Sequence, residues 1–267
     1  MTLISIMICL LLERWKDVLR PFRTRKAFIC YASFLQRHLK TAAVFGSWPG
    51  IIVIFLPLVI LVALIQFALH QFWYGILAWV FNTLVLLYCL EPHNCYKLLC
   101  QQWCEKKQNG DISETSSEKT DSVDDSFFLF NQRVFAVLFW FCLFGAVGAL
   151  FYRAVTVCRQ NAIVANSELN GYFGLLTQLT HYLDWIPIRL LAASFALTGN
   201  FTPAFQSLMR GFFQCPDNNE MFLKEVGISA LQETAKVSGV AAQNLLFRSL
   251  VLWLVFLAVL TLTAIVK

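Results

Sequence analysis

Four long apolar runs without a charged side chain constrain the fold of this chain more than any other feature. They are Trp48 to Leu69, Trp73 to Leu90, Val134 to Tyr152, and Ser249 to Val266. A helix rises about 1.5 Å per residue, so each run approaches the length that crosses the roughly 30 Å hydrocarbon core of a bilayer. Because 58% of the residues are hydrophobic and only 14% are charged, we predict an all-α, multi-pass transmembrane protein. It has about four spans plus short interfacial or re-entrant helices.

The N-terminal segment is predicted to lie at the membrane surface. Its apolar run, Leu3 to Leu12, is stopped by Glu13 and Arg14 after about 15 Å of helix, which is half the hydrocarbon thickness. Eight lysines or arginines stand between Arg14 and Lys40, both included. Translocating that many cations is disfavoured. Residues 1 to 47 are therefore predicted to form an interfacial helix and a basic cytoplasmic segment.

This orientation predicts a topology for the rest of the chain. Residues 48 to 90 form a transmembrane hairpin whose turn is His70 to Phe72, so the loop from Glu91 to Arg133 is cytoplasmic. Within that loop, residues 105 to 126 have one Ile and one Val as their only sizeable apolar side chains, which predicts a disordered linker. The third run crosses outward and leaves Arg153 to Arg248 outside, unless part of that segment re-enters the membrane.

The nine cysteines are interpreted as reduced thiols, because several lie in apolar runs or at their ends. The densest group of metal-ligand side chains follows the second run. In that group only Cys100 and Cys104 have the spacing of a zinc knuckle, so thiols without a metal are the favoured interpretation. No metal and no cofactor is predicted. The group is Cys89, His93, Cys95, Cys100 and Cys104.

One short helix is predicted in the polar region that follows the third run. Asp184 is suited to cap it, Pro187 is tolerated in a first turn, and Gly199 is suited to end it in a left-handed conformation. The helix would then run from Trp185 to Thr198, about 21 Å, too short to span a bilayer. Its small residues, Ala192, Ala193, Ser194 and Ala196, favour close helix packing.

Arg189 is the most informative charged residue in this helix. Its neighbours are apolar, and burying an uncompensated guanidinium costs several kcal/mol. It therefore needs a partner, and Asp184 or Glu168 is suited to serve; a structural ion pair is favoured over an anionic ligand site. Arg153 and Arg248 flank the third and fourth runs, where anchoring at the membrane boundary explains both.

Several segments together resemble the AmpE family of the bacterial inner membrane, within the CobD/CbiB superfamily of cobalamin biosynthesis. They occur in the order of the family and cover nearly the whole chain. We interpret residues 1 to 267 as a single AmpE-like membrane domain, with two further spans in a core from 134 to 267. The segments are Met1-Thr2-Leu3 with Glu13-Arg14, NQRVFAVLFWFCLFGAVGALFYR from Asn131 to Arg153, LDWIPIRLLAASFALTGNF from Leu183 to Phe201, and LLFRSLVLW from Leu245 to Trp253.

The enzymes of that superfamily are adenosylcobinamide-phosphate synthases, which join an amine to a corrinoid carboxylate. The chain departs from their pattern at the polar and acidic positions. A reaction that activates a carboxylate with Mg²⁺ needs acidic side chains to hold the metal, so the replacements argue against retained activity. The replacing residues are Phe128, Leu129 and Gln132, aligned on Leu138-Phe139-Trp140; Arg159, after the shared Tyr-Arg-Ala-Val; and Thr180 and His181, before the shared Trp-Ile-Pro.

The resemblance to AmpE implies a non-catalytic modulator linked to β-lactamase induction and cell-wall recycling. Its partners would be the lipid bilayer and an unknown small ligand or protein of that pathway; no nucleic acid is expected. Two alternatives stay open: a divergent synthase that draws its acidic ligands from Glu168 and Asp184, and a small helical transporter. The candidate binding residues are Asp184, Trp185, Arg189, Arg153, Glu13 and Arg14.

Overall fold

The structure is a computed structural model that describes residues 5 to 7, 9, 48 to 72, 76 to 90, 127 to 164, 170 to 213, 215 to 231 and 239 to 266. Nearly all of these residues are helical and none of them forms a strand, which confirms the all-α prediction. Glu13, Arg14 and Glu168 lie outside the described residues. So do the predicted linker from 105 to 126 and every member of the Cys/His group except Cys89.

The helices follow the apolar runs. Each of the four runs is helical over nearly all of its described residues, as predicted; the exceptions are Leu90, which follows α2, and Gly145, where the third run is interrupted. In chain order the elements are α1 (Trp48–Phe72), α2 (Ile76–Cys89), a π-helical turn (Asn131–Phe135), α3 (Ala136–Val164), α4 (Asn170–Thr198), α5 (Phe201–Gly211), a 3₁₀ turn (Pro216–Asn218), α6 (Asn219–Leu231) and α7 (Gly239–Val266).

Among the described residues, two helical stretches are long and apolar enough to cross a membrane, Phe127–Gln160 and Ala241–Thr263. The described apolar stretches of α1 and α2 are shorter, Phe55–Leu69 and Leu77–Cys89. α1 nevertheless exposes large apolar side chains along its length, among them Leu64 and Phe67. Extended exposed apolar faces are unusual on soluble monomers. The helices are therefore compatible with a membrane protein.

The predicted turn of the hairpin is wrong. α1 continues through His70 and Gln71 to Phe72, and the connection to α2 falls on residues 73 to 75, outside the described residues. The polar side chains at 70 and 71 do not end a helix, because neither breaks the backbone hydrogen bonding as glycine or proline does. α1 and α2 contact each other, as the hairpin prediction requires.

The predicted start of the helix at Trp185 is also wrong. α4 begins at Asn170, so Asp184 is an interior residue rather than a cap, and Pro187 lies in the middle of the helix. At 29 residues, α4 is about 44 Å long, and length no longer argues against a span. The predicted end is confirmed, since α4 stops at Thr198.

A tryptophan compensates for the proline inside α4. Proline has no N–H, so the carbonyl four residues earlier, that of Leu183, receives no helical hydrogen bond from residue 187. The Trp140 indole N–H donates to this carbonyl at 3.3 Å. A side chain that satisfies the freed carbonyl lets a helix continue past proline, and this contact explains why the predicted boundary is absent.

We expect Trp140→Phe to lower the free energy of unfolding by about 1 kcal/mol, because the Leu183 carbonyl then loses its donor. In the Pro187→Ala background the cost of Trp140→Phe should fall to a few tenths of a kcal/mol, since residue 187 then supplies the missing N–H. A double-mutant cycle measured by SDS-driven unfolding in mixed micelles gives this coupling. Equal costs in both backgrounds would contradict the compensation.

The chain divides into two compact units. Unit 1 comprises Met1–Leu90 and Val137–Leu183. In its core Phe55 of α1 packs edge-on against Phe151 of α3, with ring centroids 5.8 Å apart. Within α3 the backbone breaks at Gly145, where φ is 65° and ψ is −148°. Only glycine adopts that conformation without strain, so the third apolar run is a broken helix.

Unit 2 comprises Glu91–Ala136 and Asp184–Lys267. Its core is built from α4, α6 and α7 around the buried rings of Phe195 and Phe222. The small residues Ala192 and Ala196 are buried in this core, in agreement with their predicted role in packing. α5 packs on α6, and α6 contacts α7.

Gly199 matters for a reason other than the predicted one. Its φ is not positive, since Gly145 is the positive-φ glycine among the described residues. A Cβ at Gly199 would instead lie 2.8 Å from both the Cβ and the carbonyl oxygen of Ala230. The next residue, Asn200, donates its N–H to that same carbonyl at 2.9 Å. Glycine at 199 therefore permits a close approach between the end of α4 and the end of α6.

Candidate functional site

Two buried polar clusters lie in unit 2, both built on α4. The carboxylate cluster is Asp184 with Asn131 and Gln132, and none of these residues is more than 4% exposed. The arginine cluster is Arg189 with Trp185, Asn219 and Phe222, in which Arg189 is 3% and Asn219 is 2% exposed. Buried polar groups cost several kcal/mol unless protein hydrogen bonds replace those of water, so their partners decide what each cluster does.

In the carboxylate cluster, each carboxylate oxygen of Asp184 accepts a hydrogen bond from a different amide side chain. The Asn131 Nδ2 group donates to Oδ1 at 3.5 Å, and the Gln132 Nε2 group donates to Oδ2 at 3.4 Å. Both distances are long for an N–H···O bond. The two amides therefore hold Asp184 through weak hydrogen bonds.

The π-helical turn positions these amides. The Ala136 N–H donates to the Asn131 carbonyl, which is the wider hydrogen-bonding pattern that π-turns use and that recurs at functional sites. Three buried polar atoms of the turn, Asn131 Oδ1 and the Arg133 Nε and Nη1 groups, have no hydrogen-bond partner in the described part of the chain. Such groups call for ordered water or a polar ligand. The turn thus carries both an open acceptor and open donors.

In the arginine cluster, the guanidinium is held by oxygen atoms and aromatic rings. The Nη1 group donates to Asn219 Oδ1 at 2.5 Å and to the Trp185 carbonyl at 3.3 Å, and Nε donates to the Phe212 carbonyl at 3.2 Å. The guanidinium carbon lies 4.6 Å from the centroid of the Trp185 ring and 5.0 Å from that of Phe222. Cation–π contacts of this kind are favourable when desolvated.

Burial lowers the pKa of the Arg189 guanidinium to about 10. This value is still well above neutral pH, so Arg189 stays cationic under physiological conditions. Desolvation disfavours the charged form, and the Asn219 amide and the two carbonyl groups offset that cost. Arg189 is thus a fixed positive charge at the point where α4, α6 and the end of α5 meet.

The predicted binding residues lie in different parts of the structure. Asp184, Trp185 and Arg189 all take part in the two clusters, whereas Glu13 and Arg14 lie outside the described residues. Arg153 belongs to unit 1, where it is only 3% exposed and lies well before the end of α3 at Val164. The predicted boundary role is therefore wrong for Arg153. Arg248 is exposed but lies nine residues past the start of α7 at Gly239, so its boundary role stays a prediction.

The predicted ion pair of Arg189 stays a prediction. Glu168 is outside the described residues, and the hydrogen bonds described for Asp184 come from Asn131 and Gln132. Those described for Arg189 go to neutral oxygen atoms. The Asn219 amide and two backbone carbonyl groups supply part of the compensation that Arg189 needs.

Sequence reasoning missed four members of the clusters. Asn131 and Gln132 open the second segment that resembles AmpE, so their position next to a long apolar run was an available signal. Asn219 and Phe222 gave none, because the stretch around them has mixed polarity and no clear period. Their roles follow from the contacts that α6 makes with Arg189 of α4.

No group of three or more His, Cys, Asp or Glu side chains among the described residues is arranged to hold a metal ion. Comparisons with protein families, with curated proteins and with solved structures find no match to this chain. The geometry of the two clusters and the sequence resemblance therefore carry the functional interpretation.

We expect Asp184→Asn to lower the free energy of unfolding by about 1 to 2 kcal/mol. The change keeps the shape of the side chain but gives the Asn131 and Gln132 amides a weaker acceptor and turns one NH₂ group toward them. Unfolding in mixed micelles measures the loss. An Asp184→Asn variant as stable as the wild type would show that the carboxylate is not needed as an acceptor.

Proposed function

We propose that this chain is an AmpE-like inner-membrane protein with a non-catalytic regulatory role in β-lactamase induction and cell-wall recycling. It binds a small ligand or a protein partner of that pathway at the clusters on α4. In this proposal α1 and α2 also cross the bilayer, giving about four spans. α1 has 25 residues, about 37 Å of helix, which is sufficient for a crossing.

The single observation that carries the proposal is the mutual contact of three of the four segments that resemble AmpE; the fourth, at the N-terminus, lies outside the described residues. Asn131 and Gln132 of one segment donate to Asp184 of the next. Thr198, in that same segment, and Ser249 of the last segment have their hydroxyl oxygens 3.1 Å apart. Segments far apart in sequence that pack into one core are expected if they form the framework of a family fold.

The last segment also contacts the first of these three. The rings of Phe135 and Trp253 pack edge-on with centroids 5.3 Å apart. Each pair of the three segments is thereby joined inside unit 2. This packing supports a framework in common with the AmpE family. It does not involve any catalytic residue.

The environment of Asp184 supports a non-catalytic role. A carboxylate that binds Mg²⁺ must present its oxygens to the ion, usually with other acidic groups nearby. Here both oxygens accept from amides. One of these amides belongs to Gln132, which stands where the resemblance places an acidic residue in the synthases. In this comparison a second carboxylate is replaced by an amide that donates a hydrogen bond to Asp184.

The proposal is tested by complementation in a bacterium that has an inducible β-lactamase and lacks its own AmpE. We expect the wild-type chain to change the rate of β-lactam hydrolysis after induction, and Arg189→Lys to reduce that change severalfold because lysine lacks the planar fork. Gly174→Ala is the matched control, since Gly174 is exposed and a Cβ added there would have no atom within 4 Å.

Membrane fractions after carbonate extraction must contain equal amounts of each variant, so that differences in abundance are separated from differences in function. Identical hydrolysis rates with and without the wild-type chain would refute the regulatory proposal. If the wild type and Arg189→Lys change the rate of β-lactam hydrolysis equally, the regulatory role is supported but the arginine cluster takes no part in it.

A further inference from the structure

α5 carries an apolar surface that is exposed in the described part of unit 2. Its buried face, which includes Ala204, Leu208 and Gly211, packs on α6. A second line of residues, four apart, is exposed: Phe201 is 53%, Phe205 39% and Met209 51% exposed, and Phe213, just past the helix, is 90% exposed. We call these four residues the aromatic stripe. The Phe201 and Phe205 rings stack with centroids 5.2 Å apart.

A polar line runs beside the aromatic stripe. It consists of Thr202, Gln206 and Arg210, also four residues apart and all exposed. Residues that follow one another in a helix are separated by about 100°. α5 therefore has three faces: one buried against α6, one apolar and open, and one polar and open. A helix with adjacent apolar and polar open faces is suited to lie in the plane of a membrane interface.

The depth of α5 relative to α7 follows from a contact between the end of α4 and α7. Arg248 is exposed and directly precedes the charge-free run from Ser249 to Val266. The apolar stretch of α7 begins earlier, at Ala241, but we place the lipid boundary at Arg248 because an exposed guanidinium there needs water or headgroups. The Ser249 hydroxyl lies 3.1 Å from that of Thr198, the last residue of α4. α5 begins at Phe201, just past this point. The aromatic stripe thus starts level with the boundary between lipid and water.

α7 itself presents an apolar face in the same unit. Its exposed side chains beyond Arg248 include Val255, Val259 and Leu262, which are 58%, 54% and 61% exposed. Lipid that covers this face reaches the interface at the level where α5 begins. Because α5 begins three residues after the contact between Thr198 and α7, the lipid that covers α7 favours the bilayer as the partner of the aromatic stripe over a soluble protein.

We propose that α5 is an interfacial helix whose aromatic stripe inserts at the boundary between phospholipid headgroups and acyl chains, with Thr202, Gln206 and Arg210 facing water. This inference rests on the membrane placement proposed above and is independent of the regulatory role. It also links lipid to the arginine cluster, because the Phe212 carbonyl at the end of α5 accepts a hydrogen bond from Arg189.

The test is site-specific photocrosslinking of the full chain in nanodiscs of phosphatidylethanolamine and phosphatidylglycerol. The photoreactive residue p-benzoylphenylalanine is placed singly at Phe205, Met209, Thr202 or Gln206, and adducts are identified by mass spectrometry. We expect phospholipid adducts at 205 and 209 at least fivefold more often than at 202 and 206. Equal adduct yields at all four positions would overturn the proposal.

Two further outcomes are informative. Adducts of the chain with a second copy at 205 and 209, in place of lipid, would show that the aromatic stripe is a subunit interface and would overturn the lipid assignment. The same label at Val255 and Val259 of α7 is the positive control. Lipid adducts on α7 without any on α5 would overturn this inference alone, whereas no lipid adducts at either helix would overturn the membrane placement itself.

Discussion

Replacing Arg189 by leucine is expected to lower the free energy of unfolding by about 2 to 4 kcal/mol. The change leaves the Asn219 Oδ1 and Phe212 carbonyl oxygens without the donor that now reaches them at 2.5 and 3.2 Å. Each unsatisfied buried acceptor costs about 1 to 3 kcal/mol. The cation–π contacts with Trp185 and Phe222 are lost as well. Leucine recovers part of the cost by filling the apolar space.

The measurement is unfolding by SDS in mixed micelles, followed by circular dichroism. Arg189→Lys is the matched comparison, because lysine keeps the charge but replaces the planar fork by a single ammonium. We expect lysine to be intermediate, since one ammonium does not reproduce the positions of both Nε and Nη1. A leucine protein as stable as the wild type would mean that the cluster contributes no net stability.

Gly199→Ala is expected to lower the free energy of unfolding by about 1 to 3 kcal/mol. The added Cβ would lie 2.8 Å from the Ala230 Cβ and the Ala230 carbonyl oxygen, and 3.0 Å from the Phe195 carbonyl oxygen. Two of these atoms belong to the backbone and cannot rotate away. The helix ends must separate, which strains a well-packed core and weakens the hydrogen bond from the Asn200 N–H to Ala230.

Gly174→Ala is the control for the same substitution without a steric conflict. Gly174 lies inside α4, is exposed, and has no atom within 4 Å of the Cβ position. Alanine there should raise stability by about 0.5 to 1 kcal/mol, because glycine costs more entropy in a helix. If both substitutions change the free energy of unfolding in the same direction, close packing at Gly199 does not distinguish the two positions.

The apolar runs made the helices predictable. Charge-free segments of that length favour helix, since their backbone groups must be satisfied internally, and each run is helical over nearly all of its described residues. The end of α4 was predictable from the position of Gly199, although its physical reason is the contact with Ala230. The start of α4 was not predictable, because the Trp140 donor that lets the helix pass Pro187 is distant in sequence.

The candidate site was predictable only in part. Arg189 was identified because a charge among apolar neighbours needs compensation, and its burial agrees with that reasoning. Its amide partner Asn219 comes from another helix, and no local pattern links the two. Asn131 and Gln132 reach Asp184 through a π-helical turn, which has no sequence signature. Tertiary contacts, rather than local periodicity, therefore decide the chemistry of both clusters.

The proposed topology, an inner-membrane protein with the α4 clusters on the cell-wall side, is tested most directly with Cys215. This thiol is exposed and lies between α5 and α6, in the segment predicted to lie outside. Intact cells are treated with a membrane-impermeant maleimide, and labelling is compared between wild type and Cys215→Ser. We predict labelling of the wild type in intact cells and none of the serine variant. A difference between the two proteins that emerges only after the inner membrane is permeabilised would place Cys215 in the cytoplasm and contradict the proposed topology.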